Sequence, residues 1–107
     1  MTRTRHVPLD VVQAQALAMA RKLDARHKLG GLVDLPRLRQ ALRFPRELLD
    51  RALTGLHRQA DSELRLSLAN NPFALPDGGE GGIWLPRGTD PDDRSCFYYV
   101  ALTPAGG

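Results

Sequence analysis

The chain has 107 residues, of which 42% are hydrophobic and 25% charged, a composition typical of one globular domain that folds in water. Its apolar stretches are only a few residues long and an amphipathic segment follows the basic start, so we expect no membrane span and no secretion signal. Cys96 is the single cysteine, which excludes an internal disulfide and a cysteine-based zinc site. A cytoplasmic location is the expectation that follows.

The formal net charge of +3 is distributed unevenly along the chain. Residues 1–60 carry twelve Lys or Arg against five Asp or Glu, a net of +7, whereas residues 61–107 carry three against seven, a net of −4. A basic half suits an anionic partner such as nucleic acid, because neutralising phosphates supplies most non-specific affinity. The alternative is a well-solvated, Arg-rich surface. We expect the two halves to face different partners.

The first helix is predicted from Pro8 to Lys28, where apolar residues recur at three- and four-residue steps. Gly30–Gly31 supplies the left-handed residue that commonly ends a helix. The apolar pair Leu32–Val33 then indicates a minimal strand. Asp34 follows it, and its carboxylate can cap the free backbone N–H groups of the next helix.

Two further helices are predicted, joined by a short turn. The second runs from Leu35 to about Leu42, and Arg43–Phe44 forms the connection. The third opens at Pro45, whose ring suits a first helical turn, and continues to about Arg58. It carries one apolar stripe. The stripe consists of Leu49, Ala52, Leu53 and Leu56.

The second half of the chain has a strand pattern. Leucines alternate with other residues over 64–68, as in a strand with one buried face. Residues 70–82 are rich in Gly, Asn and Pro, which predicts a long, mobile linker loop. Residues 83–85 and 96–102 read as two strands of a hairpin with a ten-residue tip.

Three helices followed by a β-hairpin is the element order of a winged helix-turn-helix domain. Residues 38–56 also resemble the helix-turn-helix segment of winged-helix regulators. In that superfamily an Ala-Leu pair closes helix two and an apolar residue anchors the turn, here Ala41–Leu42 and Phe44. Arg43 stands where the turn usually has glycine, and Pro45 where a Ser or Thr cap is common. The resemblance implies an α+β fold, a three-helix winged helix-turn-helix with a C-terminal β-hairpin wing.

If helix three resembles the recognition helix of that superfamily, the side chains opposite its apolar stripe face the groove. They are Glu47, Arg51, Thr54 and Arg58, flanked by Asp50. Arginine can contact the guanine edge, threonine a thymine methyl, and glutamate cytosine N4. The alternative is that Glu47 and Arg51, four residues apart, simply pair along an exposed helix.

Further arginines are candidate phosphate contacts. Those around helix two and the turn are Arg37, Arg39, Arg43 and Arg46. Arg3 and Arg5 resemble a basic arm able to follow a groove. All of them would look the same as solvated surface arginines.

The predicted hairpin favours a different partner. Its tip holds Asp90, Asp92 and Asp93 against Arg87 and Arg94, and acidic groups are repelled by phosphates. Its strands offer aromatic side chains that suit a protein interface. These are Trp84, Tyr98 and Tyr99.

No pattern for catalysis, cofactor binding or metal binding is recognised. The glycines of 78–82 lack the preceding strand and following helix that phosphate loops require. His6, His27 and His57 lie in separate segments without carboxylates at ligand spacing, so we interpret them as surface histidines. Cys96 is expected to be a small buried hydrophobe.

The sequence thus predicts a basic arm (1–7), one domain (8–102) and a disordered tail (103–107). The leading hypothesis is a small transcriptional regulator, not an enzyme, that binds double-stranded DNA as a homodimer and places helix three in the major groove. The alternative is a winged-helix protein-interaction module, an adaptor or small subunit that binds its partner through the acidic, aromatic hairpin.

Overall fold

The computed structural model describes residues 8–59 and 61–103, which form an α+β fold of three helices and a four-stranded antiparallel sheet. The elements in chain order are α1 (Leu9–His27), β1 (Leu32–Asp34), α2 (Leu35–Leu42), α3 (Arg46–Arg58), β2 (Leu64–Leu68), a 3-10 turn (Pro72–Ala74), β3 (Ile83–Arg87) and β4 (Asp90–Leu102). The predicted basic arm and residues 104–107 of the predicted tail lie outside the described residues. Within the described ranges, no helix is long and apolar enough to cross a membrane.

One helix boundary differs from its sequence signal and one agrees with it. α1 ends at His27 and is closed by Lys28, not by the predicted Gly30–Gly31, since Lys28 has a left-handed backbone (φ 54°) and donates its N–H to the carbonyl of Asp24. The Asp34 carboxylate accepts from the N–H of Arg37 at 3.2 Å, so the predicted cap of α2 is confirmed. Capping in this way satisfies backbone donors that a helix leaves unpaired in its first turn.

The hydrophobic core lies where the three helices meet each other and the sheet. Its buried members are the apolar stripes of the helices and alternate residues of the strands. They include Val12, Ala16, Ala20, Leu35, Leu38, Leu49, Ala52, Leu53, Val33, Leu64, Leu66 and Val100. Helices α1 and α3 approach closely at Gly55, where a Cβ would lie 2.8 Å from Gln13 Nε2.

Strand β4 organises the sheet. Its C-terminal part lies between β1 and β2, in the order β1-β4-β2, and its N-terminal part pairs with β3. Val100 is fully buried and lies opposite Val33 on one side and Leu66 on the other. The predicted minimal strand, β1, is therefore an edge of this sheet. On the other side, the pairing of β4 with β2 continues to Thr103, since its N–H donates to the Glu63 carbonyl at 2.8 Å.

The hairpin differs from its prediction. β3 runs to Arg87 and β4 already begins at Asp90, so two residues rather than ten separate the strands. Gly88 has φ +72°, the left-handed backbone that tight hairpin turns need. The register shifts after Pro86 so that Arg87 pairs with Asp90, which leaves residues 91–93 opposite no residue of β3. The breakers that suggested a long tip instead form this turn and irregularity.

The predicted linker loop of residues 70–82 lies between β2 and β3, but it is packed against the domain by hydrogen bonds and is not a simple linker. Asp77 accepts from the N–H groups of Gly79 and Gly81, both at 2.9 Å. The indole N–H of Trp84 donates to the Gly79 carbonyl at 3.1 Å. Gly79 and Gly82 are buried. We name residues 72–82 the docked loop.

Candidate nucleic-acid interface

The turn between α2 and α3 presents α3 to solvent. Arg43 has φ +58° and donates its N–H to the Arg39 carbonyl at 3.1 Å, which closes the end of α2. This is the left-handed conformation that glycine ordinarily supplies. Phe44 is half-buried and packs against the core, and the Pro45 carbonyl accepts from Leu49 N–H at 3.1 Å as α3 begins. The two departures from the winged-helix pattern are thus accommodated within a three-residue connection.

The outer face of α3 carries the side chains that the helical period places there. Glu47, Arg51 and Arg58 are exposed, whereas Thr54 is half-buried. Neither Arg51 nor Arg58 forms an ion pair with any residue that the structure describes, and the same holds for Glu47, so the alternative Glu47–Arg51 pair is not formed. Both guanidinium groups are therefore available to an anion.

Asp50 lies between two of the predicted phosphate contacts. Arg39 Nη1 is 2.6 Å from Asp50 Oδ1, and Arg46 Nε is 3.7 Å from Asp50 Oδ2. The Arg39 side chain is only 16% exposed. Its Nη1 and Asp50 Oδ1 form an ion pair, but the angles at these two atoms are not those of a hydrogen bond. One carboxylate thus balances two guanidinium groups across the α2–α3 junction.

The same two arginines hold the docked loop. Arg39 Nε donates to the Gly81 carbonyl at 2.9 Å, and Arg46 Nη2 donates to the carbonyls of Glu80 and, at 3.0 Å, Gly82. A guanidinium has five donors in a rigid fork, which lets it bridge an acid and several carbonyls at once. We call Arg39 and Arg46 the inward arginines, because their donors are directed to this loop and to Asp50.

The other predicted phosphate contacts have fewer internal partners. Arg37 Nε is 3.5 Å from Asp34 Oδ1 in a half-exposed pair, which is of little energetic weight. Arg43 is exposed and makes no side-chain ion pair within the described ranges. Arg3 and Arg5 lie outside the described residues. We call Arg43, Arg51 and Arg58 the outward arginines.

The hairpin tip carries the acidic surface that the sequence predicts. Asp90, Asp92 and Asp93 are exposed, and Asp93 Oδ1 is 3.9 Å from Arg87 Nη1. The N–H of Asp92 donates to Asp90 Oδ1 at 2.9 Å. The tip therefore exposes more negative than positive charge toward its surroundings.

His57, at the end of α3, is coupled to the sheet. Its Nδ1 accepts from the N–H of Leu66 at 3.1 Å, and its ring lies 5.2 Å from that of Phe97. Burial, followed by the charges of Arg65 and Arg58, lowers the pKa of His57 below its ordinary value. The neutral ring is thereby favoured, and only the neutral ring can accept at Nδ1. The histidine has a structural role beside the exposed face of α3.

Asp77 was not singled out by the sequence reasoning, yet it organises the docked loop. Besides its two backbone donors it accepts from the Tyr98 hydroxyl at 3.2 Å. Burial raises the pKa of Asp77, but the hydrogen bonds from Gly79, Gly81 and Tyr98 outweigh it and hold the pKa below its ordinary value. Burial and the Asp77 charge raise the pKa of Tyr98 to about 12. An Asp before two glycines is a turn signal that could have identified this cap.

The remaining groups considered in the sequence are Cys96 and the histidines. Cys96 is 3% exposed, as expected, and burial followed by the Asp77 charge raises the pKa of its thiol. His27 is exposed, in agreement with its prediction, whereas His57 is half-buried; His6 lies outside the described residues. Across residues 8–59 and 61–103, no group of three or more His, Cys, Asp or Glu could hold a metal ion.

Comparison with known proteins adds no relative, since no family model, no curated protein and no solved structure gives a significant match to the chain.

Proposed function

We propose that the chain is a winged-helix DNA-binding protein, a small transcriptional regulator that places α3 in the major groove. Its element order supports the assignment: α1, a short strand, α2, a three-residue connection, α3, and then a hairpin in the same sheet. A connection of this length keeps α2 and α3 together as one unit. The second helix of such a unit is the one that enters DNA.

The observation that carries this proposal is the free outward face of α3. Arg51 and Arg58 are exposed there and form no ion pair with any described residue, and Glu47 is exposed one turn before Arg51. Arginine suits the guanine O6 and N7 acceptors, and glutamate suits the cytosine N4 donor. Thr54, half-buried between the arginines, can offer its methyl group to thymine.

The predicted phosphate contacts divide under this proposal. Arg37, in α2, and Arg43, in the turn, remain candidates for phosphate. We rank Arg39 and Arg46 below them, because Arg39 Nε and Arg46 Nη2 donate to the docked loop and both guanidinium groups lie beside Asp50. Apart from Arg46, the exposed face of α3 carries two arginines, Arg51 and Arg58, and one glutamate, Glu47. A surface with both charges suits base readout more than phosphate binding alone.

The experiment is fluorescence anisotropy with duplex DNA across a salt series. Wild type should bind random duplex at low ionic strength, with an affinity that falls as salt rises. The double variant Arg51→Ala, Arg58→Ala should bind more weakly, because it removes two positive charges from the face proposed to enter the groove. The matched control is Lys22→Ala, Arg26→Ala on α1, which removes the same charge from exposed positions and should retain most of the wild-type affinity.

Two results would contradict the proposal in different ways. An absence of salt-dependent binding by wild type would remove DNA as the partner. Equal losses in the two double variants would mean that net charge, and not the α3 face, is responsible. Sedimentation of the free protein would test the homodimer that a two-fold site requires.

A protein-interaction module is the second candidate function, and the acidic hairpin tip favours it. Asp90, Asp92 and Asp93 are exposed together and would be repelled by phosphates but attracted by a basic protein surface. This function predicts no salt-dependent binding to DNA in the same anisotropy series. Binding of a polylysine peptide by wild type, lost in the Asp92→Asn, Asp93→Asn variant, would support it.

A further inference from the structure

A cleft of about 360 Å³ opens between the docked loop and the β3–β4 hairpin, away from the residues assigned to DNA. Leu68 and Phe73 line it and are 52% and 80% exposed, the highest values among the large hydrophobic residues of the described chain. Trp84 also lines the cleft, and its ring centroid is 6.2 Å from that of Phe73, with the ring planes tilted by 40°. The cleft therefore exposes apolar surface that its own chain does not cover.

The aromatic walls are held in place by backbone geometry. Phe73 is the central residue of the 3-10 turn, which is closed by the N–H of Ala74 donating to Asn71 and that of Leu75 to Pro72, both at 3.1 Å. A phenyl ring exposed to water in this way gains no burial energy for its own fold. Its exposure on a defined turn is what a stacking partner would use.

Trp84 is fixed independently of Phe73. Its indole N–H donates to the Gly79 carbonyl, and Gly79 (φ +88°) leaves no space for a side chain, because a Cβ there would lie 3.0 Å from Trp84 Cζ2. With its one donor satisfied inside the protein, the indole can offer only its apolar surface to the cleft. The site is therefore formed before any ligand binds, which lowers the cost of binding.

The polar lining of the cleft has one sign of charge. Arg87 and Arg94 are its only charged lining residues within the described ranges, and Asn70 and Ser95 are neutral. Arg87 is 3.9 Å from Asp93, but both side chains are more than half exposed, at 66% and 52%. Such a pair is weak, so a ligand carboxylate can replace it with a bidentate contact.

We propose that this cleft binds a small aromatic carboxylate, with its ring against Phe73 and Trp84 and its carboxylate on Arg87. The cleft volume lies in the range of about 300–1,000 Å³ that is usual for small-molecule sites, and apolar walls with a few polar groups are their usual lining. This ligand site does not depend on the proposed DNA-binding function.

The test is NMR titration of the wild-type chain with 3-phenylpropionate. Trp84 is the only tryptophan, so its single indole N–H resonance reports on this cleft alone. We expect a saturable shift in the millimolar range, as for a fragment-sized ligand. The neutral analogue 3-phenylpropanamide should bind at least about tenfold more weakly, because it lacks the charge that Arg87 recognises.

Variants assign the two parts of the ligand. Phe73→Ala should reduce binding of both compounds, since the stacking wall is removed, while its exposure keeps the fold intact. Arg87→Gln should weaken the acid to the level of the amide and leave the amide unchanged. The matched controls are Leu32→Ala, an exposed hydrophobic residue on β1, and Arg26→Gln, an exposed arginine on α1; both should bind as wild type does.

Three outcomes would overturn the proposal. The first is the absence of a saturable indole shift with either compound. The second is equal affinity for acid and amide, which would exclude recognition of an anion. The third is a wild-type dimer, measured by sedimentation, that Phe73→Ala dissociates while Leu32→Ala does not, because the cleft would then be covered by a second copy of the chain.

Discussion

The inward and outward arginines lie between residues 39 and 58, around the α2–α3 turn and along α3, yet their surroundings differ. Arg39 and Arg46 are directed to Asp50 and to three carbonyls of the docked loop. Arg51 and Arg58, on the same helix as Arg46, have no ion-pair partner in the described chain. Nothing in the side chains distinguishes the two groups. What differs is whether the Asp50 carboxylate and the carbonyls of a distant segment, the docked loop, lie within reach.

The largest change in stability is expected from Asp50→Ala, which removes the acid beside the inward arginines. It would leave Arg39, 16% exposed, beside no opposite charge, and we expect a loss of about 2–3 kcal/mol in the free energy of unfolding. Urea denaturation measures it. Glu47→Ala, which removes an exposed and unpaired acid from the same helix, should change stability by less than about 0.5 kcal/mol. Equal effects of the two variants would mean that the inward arginines are not held by Asp50.

The next effect tests whether the docked loop is packed as described. Gly79→Ala should destabilise by about 2 kcal/mol, because the backbone is left-handed and a Cβ would lie 3.0–3.2 Å from Trp84, Pro72 and Cys96. Gly78→Ala has similar backbone strain (φ +65°) but open space, so about 1 kcal/mol is expected. Thermal or urea unfolding of both variants gives the difference. A loop that is not docked would make the two losses the same.

A smaller effect on stability is expected at Arg43, the outward arginine of the turn. Arg43→Gly should stabilise the fold by about 0.5–1 kcal/mol, because glycine adopts φ +58° without steric cost, and should weaken DNA binding through the lost phosphate contact. Lys28→Gly is the matched control at the left-handed end of α1 (φ 54°). It should give a similar gain in stability and unchanged DNA affinity. A loss of affinity in both variants would remove Arg43 from the interface.

The smallest effect is the pH dependence contributed by His57. Its pKa in the folded chain lies below the ordinary value of 6.5, so below pH 6.5 the unfolded chain binds a proton that the folded chain does not. Stability should therefore be complete above that pH and decrease as the pH falls toward the lowered pKa. Denaturation between about pH 7 and about pH 5 would show the slope.

The matched variants for this slope are His57→Gln and His27→Gln. The first removes the Nδ1 acceptor of the Leu66 N–H and should flatten the pH dependence. The second changes an exposed histidine at the end of α1 and should retain it. If the free energy of unfolding of His57→Gln still decreases as the pH falls, another group causes the pH dependence. The pKa of Asp77 is lowered from 3.8, so this carboxylate affects stability only at a pH below the range tested.

The helices, β1, β2 and the outward face of α3 could be predicted from the sequence. These follow from periodicity and from local end signals such as Asp34, which depend on neighbours a few positions away. Cys96 was likewise expected to be buried, because it begins an apolar strand. The exposure of Glu47, Arg51 and Arg58 needed only the position of the apolar stripe on the same helix.

Contacts between distant parts of the chain determine which arginines are exposed to a ligand and how residues 69–82 pack against the domain. Arg39 and Arg46 meet carbonyls 34 to 42 residues away in the chain, and no local pattern indicates such a contact. The same holds for the hairpin tip, where Gly, Pro and Asp suggested a long loop but the strands pair almost to the turn. Glycine-rich segments permit many backbone conformations, and it is the long-range partners, here Arg39, Arg46 and Tyr98, that select one.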